Sequence, residues 1–186
     1  MHKSCLKVIS LYVPLMRHEE QGHHREGGNV YLENSWFSQM LRGNGEQDPK
    51  KLTYNKYDVA ESRVNTYLKA DMVFLPINIT KCHWYLAVVC ASKGEIQVLD
   101  SFGEKMTNWQ DLRYTLIGME RLIKHVAKKI QLDTSKWVHG IEVSSWKPRH
   151  MITEQMQKDV CSCGLWMINY MEYWTGTNLS NHVTQV

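Results

Sequence analysis

The chain has 186 residues, 43% of them hydrophobic and 22% charged, and a net charge of +3. That length gives one domain with a real core and too little chain for two, and so small a charge, with both signs interspersed, makes no case for nucleic-acid binding. No apolar stretch approaches the ~20 residues of a membrane span, and the N-terminus lacks the apolar core and cleavage pattern of a secretory signal.

Residues 5–17 are expected to form a helix with Leu6, Ile9, Val13 and Met16 on one side, kinked or ended by Pro14. A polar loop follows over 17–29, holding His23 and His24 as solvated side chains. Residues 30–42 read as a second helix, with Asn34 or Ser35 as a cap. Residues 43–51 read as a charged loop, and 58–69 have helical spacing through Val59, Val64 and Leu68.

The pattern then changes to strands. Residues 72–78 predict a strand whose Pro76 suits an edge. Residues 83–91 are almost continuously apolar, as in a strand buried on both faces. Ser92-Lys93-Gly94 is a hairpin-sized connection into the alternating run 95–100. Residues 110–131 are an amphipathic helix through Leu112, Leu116, Met119, Ile123, Val126 and Ile130. Residues 140–146 predict another strand, ended by Lys147-Pro148, and 163–174 predict a buried helix stopped near Gly176. No internal repeat or low-complexity segment interrupts the chain.

Five cysteines are too few and too odd a number for a disulfide framework, and a chain this long needs no staples. Free thiols in a reducing compartment, cytoplasm or nucleus, are expected. Cys82, His83, Cys161, Cys163 and His182 do not have zinc-ligand spacing, so no metal is expected.

The run Gln157-Lys-Asp-Val-Cys161-Ser-Cys163-Gly164 sets a thiol before a glycine at the start of the last helix. Unpaired N–H groups and the positive end of the helix dipole favour the thiolate there, which is the nucleophilic form. The same helix start supplies donors for an oxyanion, and the Gln157 amide could add one. A cysteine nucleophile also needs a base and an orienter for that base. In a hairpin turning near Lys93, His83 and Asp100 sit at the same open end, roughly opposite each other, which couples an imidazole to a carboxylate. Spacing does not tie Cys163 to them.

Three ordered pieces carry a resemblance: His83-Trp84, Val98-Leu-Asp100-Ser-Phe, and Gln157-x5-Cys163-Gly164, with Val73-Phe-Leu-Pro-Ile-Asn upstream. The order resembles the ubiquitin-like-protein-specific (SUMO) cysteine proteases of the adenain-like clan, and the Gln-Lys-Asp-x-x-Ser-Cys-Gly variant resembles plant members. The similarity runs from about Val8 to the end. It implies an α+β fold, a small mixed sheet flanked by helices, with the nucleophile heading a central helix. It also implies roles: Cys163 as nucleophile, His83 as general base and then acid, Asp100 as orienter, Gln157 with the Cys163 N–H as oxyanion hole, and Trp84 as a wall of the channel for the substrate's Gly-Gly tail. The implied partner is SUMO or another ubiquitin-like modifier and its conjugates, acted on by a monomer without a cofactor.

The chain departs from the pattern in three ways. A Trp-Leu-x-Asp-type segment that precedes the first helix in the family is missing, and Val186 falls where relatives continue into another helix, so a domain shortened at both ends is expected. Ser162 stands where many members carry Asp, although the plant-like members also show Ser there. Two alternatives stay open: a catalytically impaired homologue that binds a ubiquitin-like protein, and a peptidase for another modifier.

Overall fold

The computed structural model describes residues 2–20, 25–51, 57–79, 83–105 and 109–181. Among them are strands β1 (Val30–Leu32), β2 (Met72–Ile79), β3 (His83–Cys90), β4 (Glu95–Leu99) and β5 (Lys147–His150), which stand side by side in chain order. The central pairings β2–β3 and β3–β4 are antiparallel, and the outer β1–β2 and β4–β5 are parallel. The sheet is therefore mixed, and with its helices the architecture is α+β.

Strand alternation divides the core in two. Val73, Leu75, Ile77, Tyr85, Ala87, Val89, Ile96 and Val98 face helices α2 (Ser35–Glu46), α3 (Tyr57–Lys69) and α4 (Gln110–Ala127). Phe74, Trp84, Leu86, Val88 and Leu99 face α1 (His2–Glu20) and α5 (Cys163–Tyr173). Every residue of β3 is buried, as its unbroken apolar run predicts. Each Leu or Val fully buried there contributes about 1.5–3 kcal/mol of transfer free energy, so β3 is the rigid plank on which α5 rests.

Several elements differ from the sequence expectation. Helix α1 does not stop at Pro14 but continues to Glu20. Pro14 is on the exposed side, while Ile9, Val13 and Met16 on either side of it are buried, and their packing outweighs one lost backbone bond. Residues 30–32 are not helical: they add β1 to β2, and the helix starts after Asn34, whose side chain caps it by accepting from the Phe37 N–H at 2.7 Å. The helix then runs past Gly43 to Glu46. A Cβ on Gly45 would lie 1.8 Å from the Tyr114 carbonyl oxygen, and one on Gly118 1.8 Å from that of Leu41, so α2 and α4 touch backbone to backbone.

Pro76 belongs to an interior strand, yet three-residue β1 pairs only with 72–74, so no ladder reaches it from that side. Helix α4 ends at Ala127, four residues short of expectation. Residues 140–146 are not a strand; Val143–Ser145 form a 3₁₀ turn. The strand comes after it, β5, and runs through Pro148, which an edge position tolerates. His23 and His24 lie outside the described residues.

Candidate active site

The site is built at one end of the β3–β4 hairpin. His83 opens β3, and Asp100 follows the last residue of β4. Their side chains meet at 2.8 Å, His83 Nε2 to Asp100 Oδ1, with both residues buried. The register pairs Leu86 with Leu99. Continued three residues further, it sets Phe102 opposite His83 and makes Asp100 the diagonal neighbour. Phe102 fills that position as a stacked ring, 4.6 Å from the imidazole and tilted by 22°. Its backbone N–H donates to the same Asp100 Oδ1 at 2.9 Å, so the carboxylate oxygen that meets the imidazole is fixed from a second side.

Cys163 is the first residue of α5 and is 5% exposed. Helix α5 packs on β3, which brings the thiol to the imidazole. His83 Nε2 is taken by Asp100, and the buried Nδ1 has no nitrogen or oxygen partner among the described residues. Burial pushes the thiol up, but the His83 hydrogen bond, the Trp84 backbone, the imidazolium charge and the Gly164 backbone outweigh it, so Cys163 titrates below an ordinary thiol. Burial likewise opposes charge on His83; the hydrogen bonds and charges of Asp100 and Cys163 prevail and raise the imidazole to about 9. Both shifts act in the same sense, favouring a thiolate beside an imidazolium. That is a nucleophile with a proton donor next to it.

Gln157 is fully buried close by. Its Oε1 accepts from Ser101 Oγ at 2.7 Å, one residue beyond Asp100, and its backbone N–H donates to the Ser101 carbonyl at 3.0 Å. Its amide nitrogen donates to Asp159, to the backbone oxygen at 2.7 Å and to Oδ1 at 3.2 Å. The glutamine is thus tied to both halves of the site, and in this state its N–H groups are engaged by Asp159.

Trp84, expected as a channel wall, is 3% exposed and packs with Cys163 and Trp166 in the core between the sheet and α5. Its backbone, rather than its ring, acts on the thiolate. Cys161, two residues from the nucleophile candidate, is exposed. Cys82 and His182 lie outside the described residues, and no cluster of three His, Cys, Asp or Glu with metal-holding geometry occurs among the described ones. Sequence reasoning did not single out Ser101, Phe102 and Asp159. The first two adjoin Asp100 in its own motif, and Asp159 lies inside the 157–164 run, so proximity was the available signal.

Residues 5–184 match the Ulp1 protease family, C-terminal catalytic domain. The chain is 25% identical over 176 residues to ubiquitin-like-specific protease 1A of Arabidopsis thaliana, covering 91% of this chain and 31% of that protein. It is 22% identical to ubiquitin-like-specific protease ESD4 of the same plant, covering 91% and 32%. It spans about a third of the length of these curated relatives. Among solved structures, SUMO protease Ulp1 with its catalytic cysteine oxidized to a sulfenic acid superposes with a TM-score of 0.57 at 16% identity, covering 94% of this chain and 68% of that one. The Ulp1 domain in complex with Smt3, the yeast orthologue of SUMO, gives 0.54 at 16% identity, covering 94% and 66%. These likenesses establish the fold, and the match across 5–184 establishes the family: the chain belongs to the Ulp1 protease family as a cysteine-type peptidase domain.

Proposed function

We propose that this domain cleaves the amide bond after the C-terminal Gly-Gly of a ubiquitin-like modifier, SUMO first among them, through a thioester on Cys163. The Cys163 thiolate attacks the glycine carbonyl. The His83 imidazolium then gives its proton to the leaving amine as the tetrahedral intermediate collapses. Neutral His83 next removes a proton from water, which attacks the thioester and frees the glycine carboxylate and the thiol. Asp100 holds the ring and stabilises its cation. The N–H of Cys163 at the helix start and the Gln157 amide supply the oxyanion donors.

One observation carries this reading: a thiolate-favouring Cys163 at a helix N-terminus acts on an imidazole whose other nitrogen is 2.8 Å from a buried carboxylate. The names of the plant relatives and the Smt3 complex of the yeast neighbour support the choice of modifier. The test is a SUMO carrying a C-terminal fluorogenic amide. Wild type is expected to release the fluorophore and Cys163→Ala to release none; full release by Cys163→Ala would refute the mechanism.

A second reading, a modifier-binding domain without turnover, draws on the burial of Trp84 and the engagement of Gln157 by Asp159. A panel of modifiers ending in electrophiles separates the two. Covalent capture at Cys163 supports the peptidase, and the modifier captured names the substrate. Reversible binding without capture supports the module.

A further inference from the structure

Asp159 collects an unusual set of hydrogen bonds from the loop that leads into the nucleophile. Its Oδ1 accepts from the backbone N–H of Cys161 and of Ser162, each at 2.8 Å, and from Gln157 Nε2 at 3.2 Å. Its Oδ2 accepts from Ser162 Oγ at 2.5 Å, and its backbone oxygen accepts from Gln157 Nε2 at 2.7 Å. One residue therefore binds both the glutamine six positions before Cys163 and the two residues immediately preceding it.

Ser162 holds the cap position of α5 but makes no side-chain cap bond to the helix. Its hydroxyl donates to Asp159 instead, which fixes where that carboxylate stands in the loop. The remaining atom of the Gln157 amide, Oε1, is fixed by Ser101 Oγ. With the oxygen bound to Ser101 and the nitrogen to Asp159, the amide has one orientation. A donor that must meet an oxyanion gains from being fixed before the reaction, because no reorganisation is then needed as charge develops.

The geometry points to Asp159 as a positioning residue for Gln157: anchored in the loop by the Cys161 and Ser162 groups, it aims the Gln157 amide and yields one amide hydrogen to the oxyanion. The two bonds to Gln157 divide these tasks. The 2.7 Å bond to the backbone oxygen anchors one N–H, and the longer 3.2 Å bond to the carboxylate holds the other in waiting. As negative charge builds on the substrate carbonyl oxygen, that second N–H exchanges the carboxylate for the oxyanion. Asp159 touches neither substrate nor thiol in this scheme; it acts through Gln157.

This inference rests on the acyl-transfer reading above, and the experiment keeps the two apart. Wild type, Asp159→Ala, Asp159→Asn, Gln157→Ala and the Gln157→Ala/Asp159→Ala double variant are assayed on the SUMO amide reporter and on a short peptide amide ending in Gly-Gly. In parallel, the pH dependence of Cys163 alkylation by iodoacetamide is measured. In Asp159→Ala, kcat is expected to fall about 10- to 100-fold with KM within about 3-fold, less than the 100- to 1,000-fold typical of losing a donor outright. Asp159→Asn, whose Oδ1 can still accept the Cys161 and Ser162 N–H groups, is expected within about 5-fold of wild type. The double variant is expected to be no slower than Gln157→Ala alone, because both substitutions remove one function.

The alkylation midpoint is expected to be the same in wild type and Asp159→Ala. A midpoint moved up to that of an ordinary thiol would mean a collapsed loop and overturn the proposal. Full kcat in Asp159→Ala, or additive losses in the double variant, would overturn it too. A wild type that turns over the short peptide but not the SUMO reporter refutes only the choice of modifier, and Asp159 is then judged on the short peptide. A wild type inert on both refutes the peptidase reading and this inference together.

Discussion

The ring of Phe102 lies over the imidazole of His83, with centroids 4.6 Å apart and planes within 22° of parallel. Phe102 owes that position to the hairpin register, and its N–H is bonded to the carboxylate that orients the same imidazole. The imidazole is therefore held edge-on by a hydrogen bond and face-on by a ring. An aromatic pair of this kind is worth about 0.5–1.5 kcal/mol beyond area burial. Phe102→Ala is expected to lower kcat about 2- to 10-fold with little change in KM, and Phe102→Tyr to stay near wild type. Equal activity of the alanine variant would show that the carboxylate alone positions the ring.

The acidic and basic limbs of the activity profile follow from the same pair. Thiolate forms below the ordinary thiol range because His83 and two backbone groups favour it, and the imidazolium persists up to about 9. Alkylation of Cys163 by iodoacetamide is therefore expected to be fast already at neutral pH. Turnover, which needs the proton on His83, is expected to decline as pH rises through about 9. Asp100→Asn removes the largest contribution raising the imidazole, so the basic limb should move to lower pH. His83→Ala removes the hydrogen bond that does most to favour the thiolate, so alkylation at pH 7 should fall about 10-fold or more. An unchanged alkylation profile in His83→Ala would mean that the two side chains do not share a proton.

Glu33, on the far side of β2 from this chemistry, is fully buried after β1 and bonded to Arg17, Arg63, Tyr67 and the Asn34 N–H. Burial outweighs these partners and raises its carboxyl to about 7. A carboxyl raised above its unfolded value contributes stability that is whole below the unfolded pKa and is lost as pH rises through the folded one. Thermal stability should thus decline as pH rises from the ordinary carboxyl range to about 7, and Glu33→Gln should flatten that slope. Glu33→Ala, which strands two guanidinium groups, is expected to cost about 3–5 kcal/mol near neutral pH, read from denaturant unfolding.

Two glycines of α2 should respond in opposite directions. A methyl at Gly45 would meet the Tyr114 carbonyl at 1.8 Å, whereas nothing lies within 4 Å of one at Gly43. Gly43→Ala is expected to stabilise by about 0.5–1 kcal/mol through helix propensity. Gly45→Ala is expected to destabilise by about 3 kcal/mol or more, because backbone cannot move aside as a side chain can. Matching melting temperatures for the two variants would contradict the close helix crossing.

The parts of the fold legible in the sequence are those with a strong period. The unbroken run of β3, the alternation of β4 and the stripe of α4 each state their burial in residue types. Strand β5 was hidden because Lys147-Pro148-Arg149-His150 carries no apolar pattern; its state comes from pairing along the edge of β4. Strand β1 was absorbed into a helix because three residues cannot establish a period, and only β2 makes them extended. In the site, His83, Asp100, Gln157 and Cys163 were visible because their types are chemically distinctive and their spacing is ordered. Asp159, Ser101 and Phe102 were not, since their roles consist of bonds and contacts to those four, and such partners are found only after folding.

His83 and Asp100 are 17 residues apart in the chain and joined by one hairpin, whereas Cys163 comes 63 residues after Asp100. On a ribosome the imidazole and its carboxylate partner emerge well before the thiol is made. Until α5 docks on β3, Cys163 has neither the imidazolium nor the Trp84 backbone beside it, and behaves as an unremarkable thiol. Its reactivity is then a property of the finished molecule. A nascent or partly unfolded chain carries no activated thiolate to attack its own carbonyls or those of its neighbours.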